Sequence, residues 1–262
     1  MRILVSNDDG ISRAGLHALV QAVEPLGEVW VVAPDQEMSG VSHAITLGKP
    51  LRVTGFEGRA RWFAVSGTPT DCVYLALHHF MKDAPPDVVI SGINHGSNLG
   101  TDAHYSGTVS AAHEGMVNGI PSVAFSLVGS KPFDFTKAAQ FAGRLTRWVG
   151  DHGLPPGVML NCNVPQVTDG RYALCRMGTR RYLGERVVHR RDPRGADYYW
   201  IGGTEVAHAG ANDSDTSAHD QGLISITPLG LDLTAQKGLA ELTEMRLDGD
   251  EPVPLSLQQG EA

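Results

Sequence analysis

The amino-acid sequence predicts a Rossmann-like, three-layer α/β/α fold with a mainly parallel sheet and a C-terminal β-hairpin extension. In the first two-thirds of the 262 residues, short apolar runs alternate with segments of helical periodicity, as βαβ units require. From about Tyr172 the helical periodicity is lost, and glycines separate short apolar runs. A hydrophobic content of 42% with 31 glycines suits a globular α/β protein. We therefore expect a Rossmann-like core in residues 1–170 and a hairpin-rich region in residues 171–262 that completes this core.

The core elements are predicted in the order strand, helix, strand. RILVS predicts a buried strand, and a helix near residues 12–26 follows, with Leu16, Leu19, Val20 and Val23 on one face. EVWVVA and RWFAV predict the next two strands, and Pro69 suits the first turn of the helix after them. The remaining predicted elements are a strand at DVVIS, a helix at about 108–117, a strand at PSVAFSL, a helix at 135–149 and a strand at GVMLNCNVP. This alternation predicts a sheet covered by helices on both faces.

The region after Tyr172 predicts a different architecture. RYALCRMG, RYLGERVVHR and DYYWIGG have no helical period and carry turn glycines between them, so we expect β-hairpins. LISITPLGLDLTA predicts one further strand. The last residues, 249–262, are expected to be frayed or weakly packed.

Charge, hydropathy and cysteine content exclude several classes of protein. A net charge of -8 disfavours general binding to nucleic-acid backbones, and we expect no nucleic-acid duplex as a partner. No apolar run approaches the length of a membrane span. The N-terminal apolar run is too short for a secretory signal. The three cysteines, Cys72, Cys162 and Cys175, form no metal-type pair, so we expect reduced thiols in a cytoplasmic protein.

One segment departs from this acidic balance. Seven arginines lie between Arg176 and Arg194. A solvated ribbon or a subunit interface is the favoured interpretation, and contact with phosphate or nucleic acid is the alternative.

Polar side chains follow the ends of the predicted core strands. Asn7, Asp8 and Asp9 come directly after the first strand, and Ser39 follows the second by a few residues. The carboxyl ends of parallel strands border the ligand crevice of an open sheet, so we expect these residues at one edge. Two carboxylates about 4 Å apart repel by roughly 4 kcal/mol at an effective dielectric near 20, which a bound cation or a shared proton would offset, and a metal is the simpler answer. Gly10 permits a turn in which the two could converge.

The NDDG stretch alone is compatible with two interpretations. In one, the aspartates bind a hard cation such as Mg²⁺ or Mn²⁺, which prefers oxygen ligands. In the other, one of them caps the helix that starts near Ser12, or closes a turn. His95, His104 and His113 recur every nine residues, but no pattern places them in one coordination sphere, and we predict no zinc site from them.

The stretch GINHGSNLGTDAHYSGTVSAAHEG predicts a phosphate site. It holds Asn94 and Asn98 in a glycine-rich loop, and Ser106, Gly107 and Thr108 stand where a helix begins. Backbone N–H groups at a helix start bind phosphate well. Ordinary capping of the helix by Ser106 is the alternative. Neither GxxxxGK[ST] nor a GxGxxG after the first strand occurs, which disfavours a P-loop nucleotidase or a dinucleotide enzyme.

Five motifs in one order resemble those of a known family. They are NDDG, APDQEMSG with the following AITL, SGTPTDCVYLAL, SGINHGSNLG and YSGTVSAAHEG. The similarity continues through RRDPRGADYYWIGG and ISITPLGLDLTA and covers about residues 1–235. On these motifs the chain resembles the stationary-phase survival protein SurE family of metal-dependent nucleotidases.

The resemblance implies an activity and assigns roles to residues. It implies hydrolysis of nucleoside 5′- and 3′-monophosphates, and possible action on short polyphosphate. It implies one divalent cation per subunit, Mg²⁺ or Mn²⁺, with Asp8 and Asp9 as catalytic residues. The implied metal ligands are Asp8, Asp9, Ser39 and Asn94, and the implied phosphate-binding residues are Asn98, Ser106, Gly107 and Thr108. It also implies a homodimer or homotetramer in which the C-terminal hairpins pack across subunits.

The chain departs from the family pattern at a few positions. His95 stands where a small or different residue is commoner, and His43 follows the Ser39 motif. NVPQVTDG lacks the usual acidic residue after NVP, and DSDTSAHDQG differs from a more apolar family version. These differences bear on substrate preference and on the choice of metal, and they leave the implied ligand set intact.

Two other functions stay open at this point. A haloacid-dehalogenase-like phosphatase also begins with a strand that ends in aspartates, but its two carboxylates alternate as Asp-x-Asp, whereas Asp8 and Asp9 are adjacent. A non-catalytic nucleotide-binding module would use the same pocket without turnover. Whether the nucleophile is water or Asp9 is also open.

Overall fold

The structure is a computed structural model that describes residues 1–184, 187–202, 205–242 and 245. The chain divides into two units, Met1–Leu231 and Asp232–Ala262. The described part of the second unit contains one helix, α6 (Gln236–Glu241). The expectation that residues 249–262 are frayed concerns a segment outside the described residues.

The first unit contains all the other described helices and strands. Its strands are β1 (Arg2–Ser6), β2 (Glu28–Pro34), β3 (Val53–Gly55), β4 (Trp62–Val65), β5 (Val88–His95), β6 (Ser122–Val128), β7 (Val158–Pro165), β8 (Tyr172–Leu174), β9 (Thr179–Leu183), β10 (Val187–Arg191), β11 (Asp197–Ile201), β12 (Glu205–Ala209) and β13 (Ile224–Gly230). Its α-helices are α1 (Ala14–Val23), α2 (Pro69–Leu75), α3 (Gly107–Val117), α4 (Thr136–His152) and α5 (Asp215–Asp220). Short helical turns lie at Glu24–Leu26, Ala76–Phe80 and Gly100–His104.

Nine strands form the central sheet in the order β3-β4-β2-β1-β5-β6-β7-β13-β8. The six strands from β4 to β7 in this order run parallel. The outer strands β3 and β13 run antiparallel to β4 and β7. The chain moves outward from β1 through β2 to β4, and then continues at β5 on the other side of β1. The order of the strands therefore reverses between β1 and β5, and ligand crevices of open α/β sheets lie at such a point.

Strand β1 shows how the two faces of the sheet are covered. Ile3 and Val5 belong to the apolar cluster that includes side chains of α1 and α4, whereas Leu4 belongs to the cluster that includes side chains of α2. All three are fully buried. Successive strand residues point to opposite faces, so a strand that is apolar throughout needs helices on both sides. The predicted α/β class with a mainly parallel sheet is confirmed.

The helices differ slightly from their predicted bounds. Helix α1 starts at Ala14, and its α-helical part ends at Val23, where a short turn containing Pro25 follows. Proline has no N–H to donate to the helix. Helix α4 runs three residues past its predicted end, to His152, before Gly153 adopts a positive φ of +72°. Among the described helices, none is long and apolar enough to cross a membrane. The three cysteines are unpaired and buried, as predicted.

The region after Tyr172 is only partly built from hairpins. β10 and β11 form an antiparallel hairpin, and β9 pairs antiparallel with β12. The prediction was wrong for RYALCRMG, because β8 joins the central sheet, parallel to β13. β13 pairs with β7 along one edge and offers its other edge to β8. A local sequence pattern cannot predict the pairing of β8 with β13, because the two strands lie far apart in the chain.

Candidate active site

The residues after β1 form a closed turn that presents two carboxylates. The side-chain amide of Asn7 donates to the carbonyl oxygen of Gly10 at 3.0 Å, and the N–H of Gly10 donates to Asn7 Oδ1 at 3.2 Å. Gly10 has a φ of +107°, which residues with a side chain rarely adopt, so the predicted turn is present. Helix α1 is preceded by Arg13 as its N-cap, without a side-chain capping bond. The alternative in which Asp8 or Asp9 caps this helix is therefore wrong.

Asp8 is buried against the start of α3. It is 4% exposed, and its Oδ1 accepts a hydrogen bond from the Thr108 hydroxyl at 2.5 Å. Burial raises the pKa of Asp8 to about 6; the Thr108 hydrogen bond opposes this shift, and the charge of Asp9 adds to it. A Cβ added at Gly107 would lie 2.7 Å from Asp8 Cβ. The close approach of α3 to Asp8 thus depends on glycine at position 107.

Asp9 is held by a residue that was not predicted to belong to the site. Its Oδ2 lies 3.2 Å from the backbone nitrogen of His95 and 2.8 Å from His95 Nδ1. The two side chains are mostly buried, with exposures of 12% for Asp9 and 22% for His95. The one signal in the sequence was the position of His95 directly after Asn94.

Ser39 and Asn94 lie in the same cleft as the two aspartates. The loop after β2 is held against the turn by Met38, whose N–H donates to the carbonyl oxygen of Asp8 at 2.7 Å. The Ser39 hydroxyl donates to a Glu37 carboxylate oxygen at 3.0 Å. Asn94 follows a register shift in the pairing of β5 with β6, an irregularity that redirects side chains near functional sites. The structure thus brings the four implied metal ligands together.

Two of the implied phosphate-binding residues, Asn98 and Ser106, line this cleft. Ser106 Oγ accepts a hydrogen bond from the N–H of Val109 at 3.1 Å, so Ser106 also caps α3. Asn98 donates its backbone N–H to Asn163 and its side-chain amide to Ser126, both at 2.8 Å. These bonds fix the loop that follows β5.

The other two, Gly107 and Thr108, lie behind the cleft surface. Both are buried, and Thr108 is fully so. The Thr108 hydroxyl is engaged with Asp8 rather than turned to the cleft. Its role in this structure is to orient a carboxylate, and phosphate contact by its side chain stays a prediction.

The cleft also contains basic and aromatic residues that sequence reasoning missed. Its volume is about 830 Å³, large enough for a small organic molecule. The additional residues are Arg13, Tyr105, Lys131, Phe133 and Tyr182. They belong to loops, a helix cap and a C-terminal strand, where no periodic pattern marks them.

One member of the arginine-rich segment supports the loop next to the cleft. Arg180 of β9 donates from Nη1 to Asp102 at 2.5 Å and to Ser97 at 2.7 Å. The Tyr182 hydroxyl donates to the same Asp102 oxygen at 2.6 Å. Arg180 and Asp102 are only 13% and 15% exposed, so Arg180 is not part of a solvated ribbon.

The oxygen atoms at the end of β1 fit a hard divalent cation. No group of three or more His, Cys, Asp or Glu side chains in the described ranges is arranged to hold a metal. A cation bound here would therefore combine two carboxylates with neutral oxygens, such as Ser39 Oγ and Asn94 Oδ1, which suits Mg²⁺ or Mn²⁺. A second observation favours a cation, because Asp8 is buried beside another carboxylate and its ionised form is disfavoured without a positive charge.

Comparison with known proteins gives concordant matches. The family model "Survival protein SurE" matches residues 3–184. The curated protein 5′-nucleotidase SurE of Myxococcus xanthus is 51% identical over 251 residues, which is 95% of this chain and 94% of the relative. The protein of the same name from Geobacter sulfurreducens is 47% identical over 96% of both chains. The crystal structure of SurE from Aquifex aeolicus matches with a TM-score of 0.79 at 38% identity, over 93% of this chain and 98% of that one.

These matches decide between the alternatives. Neither the haloacid-dehalogenase-like phosphatase nor the non-catalytic binding module is favoured by them. The family model spans more than half of the chain, and the relatives are similar over nearly their full length. The chain belongs to the SurE family.

Proposed function

We propose that this chain is a 5′-nucleotidase, a phosphatase that depends on a divalent cation and hydrolyses nucleoside 5′-monophosphates to nucleoside and phosphate. One observation carries the proposal. Asp8 and Asp9 lie side by side at the point where the strand order reverses, in one cleft with the N-terminal end of α3. The curated relatives named 5′-nucleotidase SurE support it.

The cation would be held by Asp8, Asp9, Ser39 and Asn94, as one Mg²⁺ or Mn²⁺ per subunit. When bound, it would neutralise phosphoryl oxygens and polarise the ester towards attack. The donor set supports this proposal, since it offers only oxygen atoms.

The start of α3 would hold the phosphate group of the substrate. The helix dipole favours negative charge at this end. The N–H of Val109 already donates to Ser106 Oγ, and that of Thr108 donates to Asp8. The Ser106 side chain and the Gly107 N–H would therefore be the groups that meet the phosphate. Ser106 lies at this end and lines the cleft with Asn98, while Gly107 keeps the helix close to Asp8. Arg13 and Lys131 line the same cleft and would attract the dianionic substrate.

Hydrolysis would proceed by attack of water on phosphorus, with cleavage of the phosphoester bond and protonation of the departing nucleoside oxygen. We assign Asp9 to holding the cation rather than to attack on phosphorus, in keeping with its place beside Asp8 and its contact with His95. Positioning and electrostatic stabilisation supply most of phosphoryl-transfer catalysis, which fits a site of fixed carboxylates and helix N–H groups. Trapping of an aspartyl-phosphate at Asp9 by rapid quench would refute the water route.

The finer properties implied by the family resemblance are also proposed. They are activity on 3′-monophosphates and short polyphosphate, a cytoplasmic location, and a homodimer or homotetramer that uses the hairpin β10–β11. Trp200 and Ile201 on β11 are 68% and 91% exposed, and such apolar exposure on a hairpin supports a subunit contact.

The decisive experiment is phosphate release from a panel of nucleoside monophosphates. The protein is stripped with EDTA and resupplied separately with Mg²⁺, Mn²⁺ or Zn²⁺. We expect release to vanish on stripping and to return with Mg²⁺ or Mn²⁺. Stoichiometric nucleotide binding without release under any metal would instead establish a binding module.

A further inference from the structure

His95 contacts one particular oxygen of the Asp9 carboxylate, Oδ2. Two nitrogen atoms of His95, the backbone N and Nδ1, lie within hydrogen-bond distance of the same Asp9 oxygen, at 3.2 Å and 2.8 Å. A carboxylate that binds a cation can only accept hydrogen bonds, so in that role of Asp9 the ring nitrogen of His95 would be the donor. Two donors on Oδ2 fix the rotation of the carboxylate about its Cβ–Cγ bond and leave Oδ1 as the oxygen for another partner.

The imidazole ring is itself held in place by two phenylalanines. Its centroid lies 5.3 Å from that of Phe133 and 4.8 Å from that of Phe135, with interplanar angles of 84° and 74°. These are edge-to-face contacts, which favour one ring orientation. The packing of the two phenylalanines, in the segment after β6, therefore places the ring nitrogen beside Asp9 before any ligand binds.

We propose that His95 is a positioning residue, whose ring nitrogen holds the Asp9 carboxylate in the orientation that cation binding requires. The inference rests on the proposed function, in which Asp9 is a metal ligand. A free carboxylate would have to lose rotational freedom when the cation binds, whereas one held by His95 has lost it already. Groups that hydrogen-bond to metal ligands commonly change metal affinity or activity by about 10- to 100-fold when removed.

Four variants separate the ring nitrogen from the ring packing. His95→Phe keeps an aromatic ring between Phe133 and Phe135 and removes the donor. His95→Asn removes the ring, but the Asn side-chain amide can occupy the position of Nδ1. His95→Ala removes both, so comparison of Ala with Asn isolates the donor without the packing. His17→Phe is the matched control, since His17 lies on α1 and packs against Phe56 and Trp62.

The primary measurement is the dissociation constant of Mn²⁺ from the EDTA-stripped proteins, by titration calorimetry, without substrate. We expect His95→Phe and His95→Ala to bind Mn²⁺ about tenfold or more weakly than wild type, and His95→Asn to recover most of the loss. His17→Phe should bind as wild type does.

Two results would overturn the proposal. Wild-type Mn²⁺ affinity in His95→Phe would show that the ring nitrogen is dispensable, and equal affinities in His95→Asn and His95→Ala would show that packing alone matters. Circular dichroism shows whether each variant folds. If His95→Phe does not fold, the comparison of His95→Asn with His95→Ala tests the proposal in its place. Failure of the wild type to release phosphate would refute the proposed function without touching the Mn²⁺ comparison.

Discussion

The close contact between α3 and Asp8 can be tested with Gly107→Ala. The added Cβ would lie 2.7 Å from Asp8 Cβ and 3.1 Å from both Asp8 Oδ2 and Pro69 Cγ. Carbon atoms in favourable contact are about 3.5–4.0 Å apart, so either the helix start or Asp8 must move by about 1 Å. Asp8 is fixed by its bond to Thr108, and Pro69 belongs to the first turn of α2, so the movement cannot be absorbed without displacing one of them.

Two energies set the effect of Gly107→Ala on stability. Alanine is favoured over glycine in a helix by up to about 1 kcal/mol, whereas overpacking a buried site costs about 1–3 kcal/mol. The net loss is therefore at most about 3 kcal/mol, and the protein should remain folded. Activity is more sensitive, since a displacement of about 1 Å in a catalytic group can lower the rate on the order of 100-fold.

Phosphate release at saturating Mn²⁺ gives kcat/KM for this variant, and circular dichroism gives its Tm. Gly55→Ala is the matched control, because a Cβ added there meets no atom within 4 Å. We expect kcat/KM to fall on the order of 100-fold in Gly107→Ala and not in Gly55→Ala. If a folded Gly107→Ala protein keeps the wild-type kcat/KM and Mn²⁺ affinity, the site does not need Asp8 in its present position against α3. That result would refute the reasoning.

Further variants test other contacts of the site. Asp9→Asn keeps the volume and removes a charge, so phosphate release should be largely lost with an unchanged circular dichroism spectrum; near wild-type turnover at saturating metal would contradict the ligand assignment. Ser106→Ala removes a cap worth about 1 kcal/mol and should also weaken substrate affinity by on the order of 1–3 kcal/mol. If turnover and substrate affinity are unchanged, the hydroxyl serves as a cap alone. Arg180→Met leaves Asp102 without its cation and should lower the free energy of unfolding, measured with urea, by about 3 kcal/mol. Adding Asp102→Asn should recover part of this loss, and a double variant as unstable as the sum of the two singles would show that the pair is not coupled.

Some of this site could be predicted because its residues follow strands with a clear apolar pattern. The runs at β1, β2 and β5 mark three parallel strands, and the residues after such strands share one edge of the sheet. Asp8, Ser39 and Asn94 could therefore be expected together without any coordinates.

The residues that support these groups could not be predicted in the same way. His95 reaches Asp9 across 86 positions of the chain, and Arg180 reaches Asp102 across 78. Such contacts depend on how loops and strands from different parts of the chain pack, which no local period encodes. The same reason explains why β8 was expected in a hairpin and instead pairs with β13.

The bonds from Arg180 and Tyr182 to Asp102 have a consequence for dissecting this protein into fragments. Asp102 lies in the loop beside the cleft that contains Asp8 and Asp9, whereas its two partners lie on β9, well after the last parallel strand of the core, β7. A polypeptide that stops after β7 would retain Asp8 and Asp9 and lose the two bonds that hold that loop. We therefore expect cleavage between β7 and β9 to lower turnover until the C-terminal piece binds again, and phosphate release before and after mixing the two purified pieces would measure this.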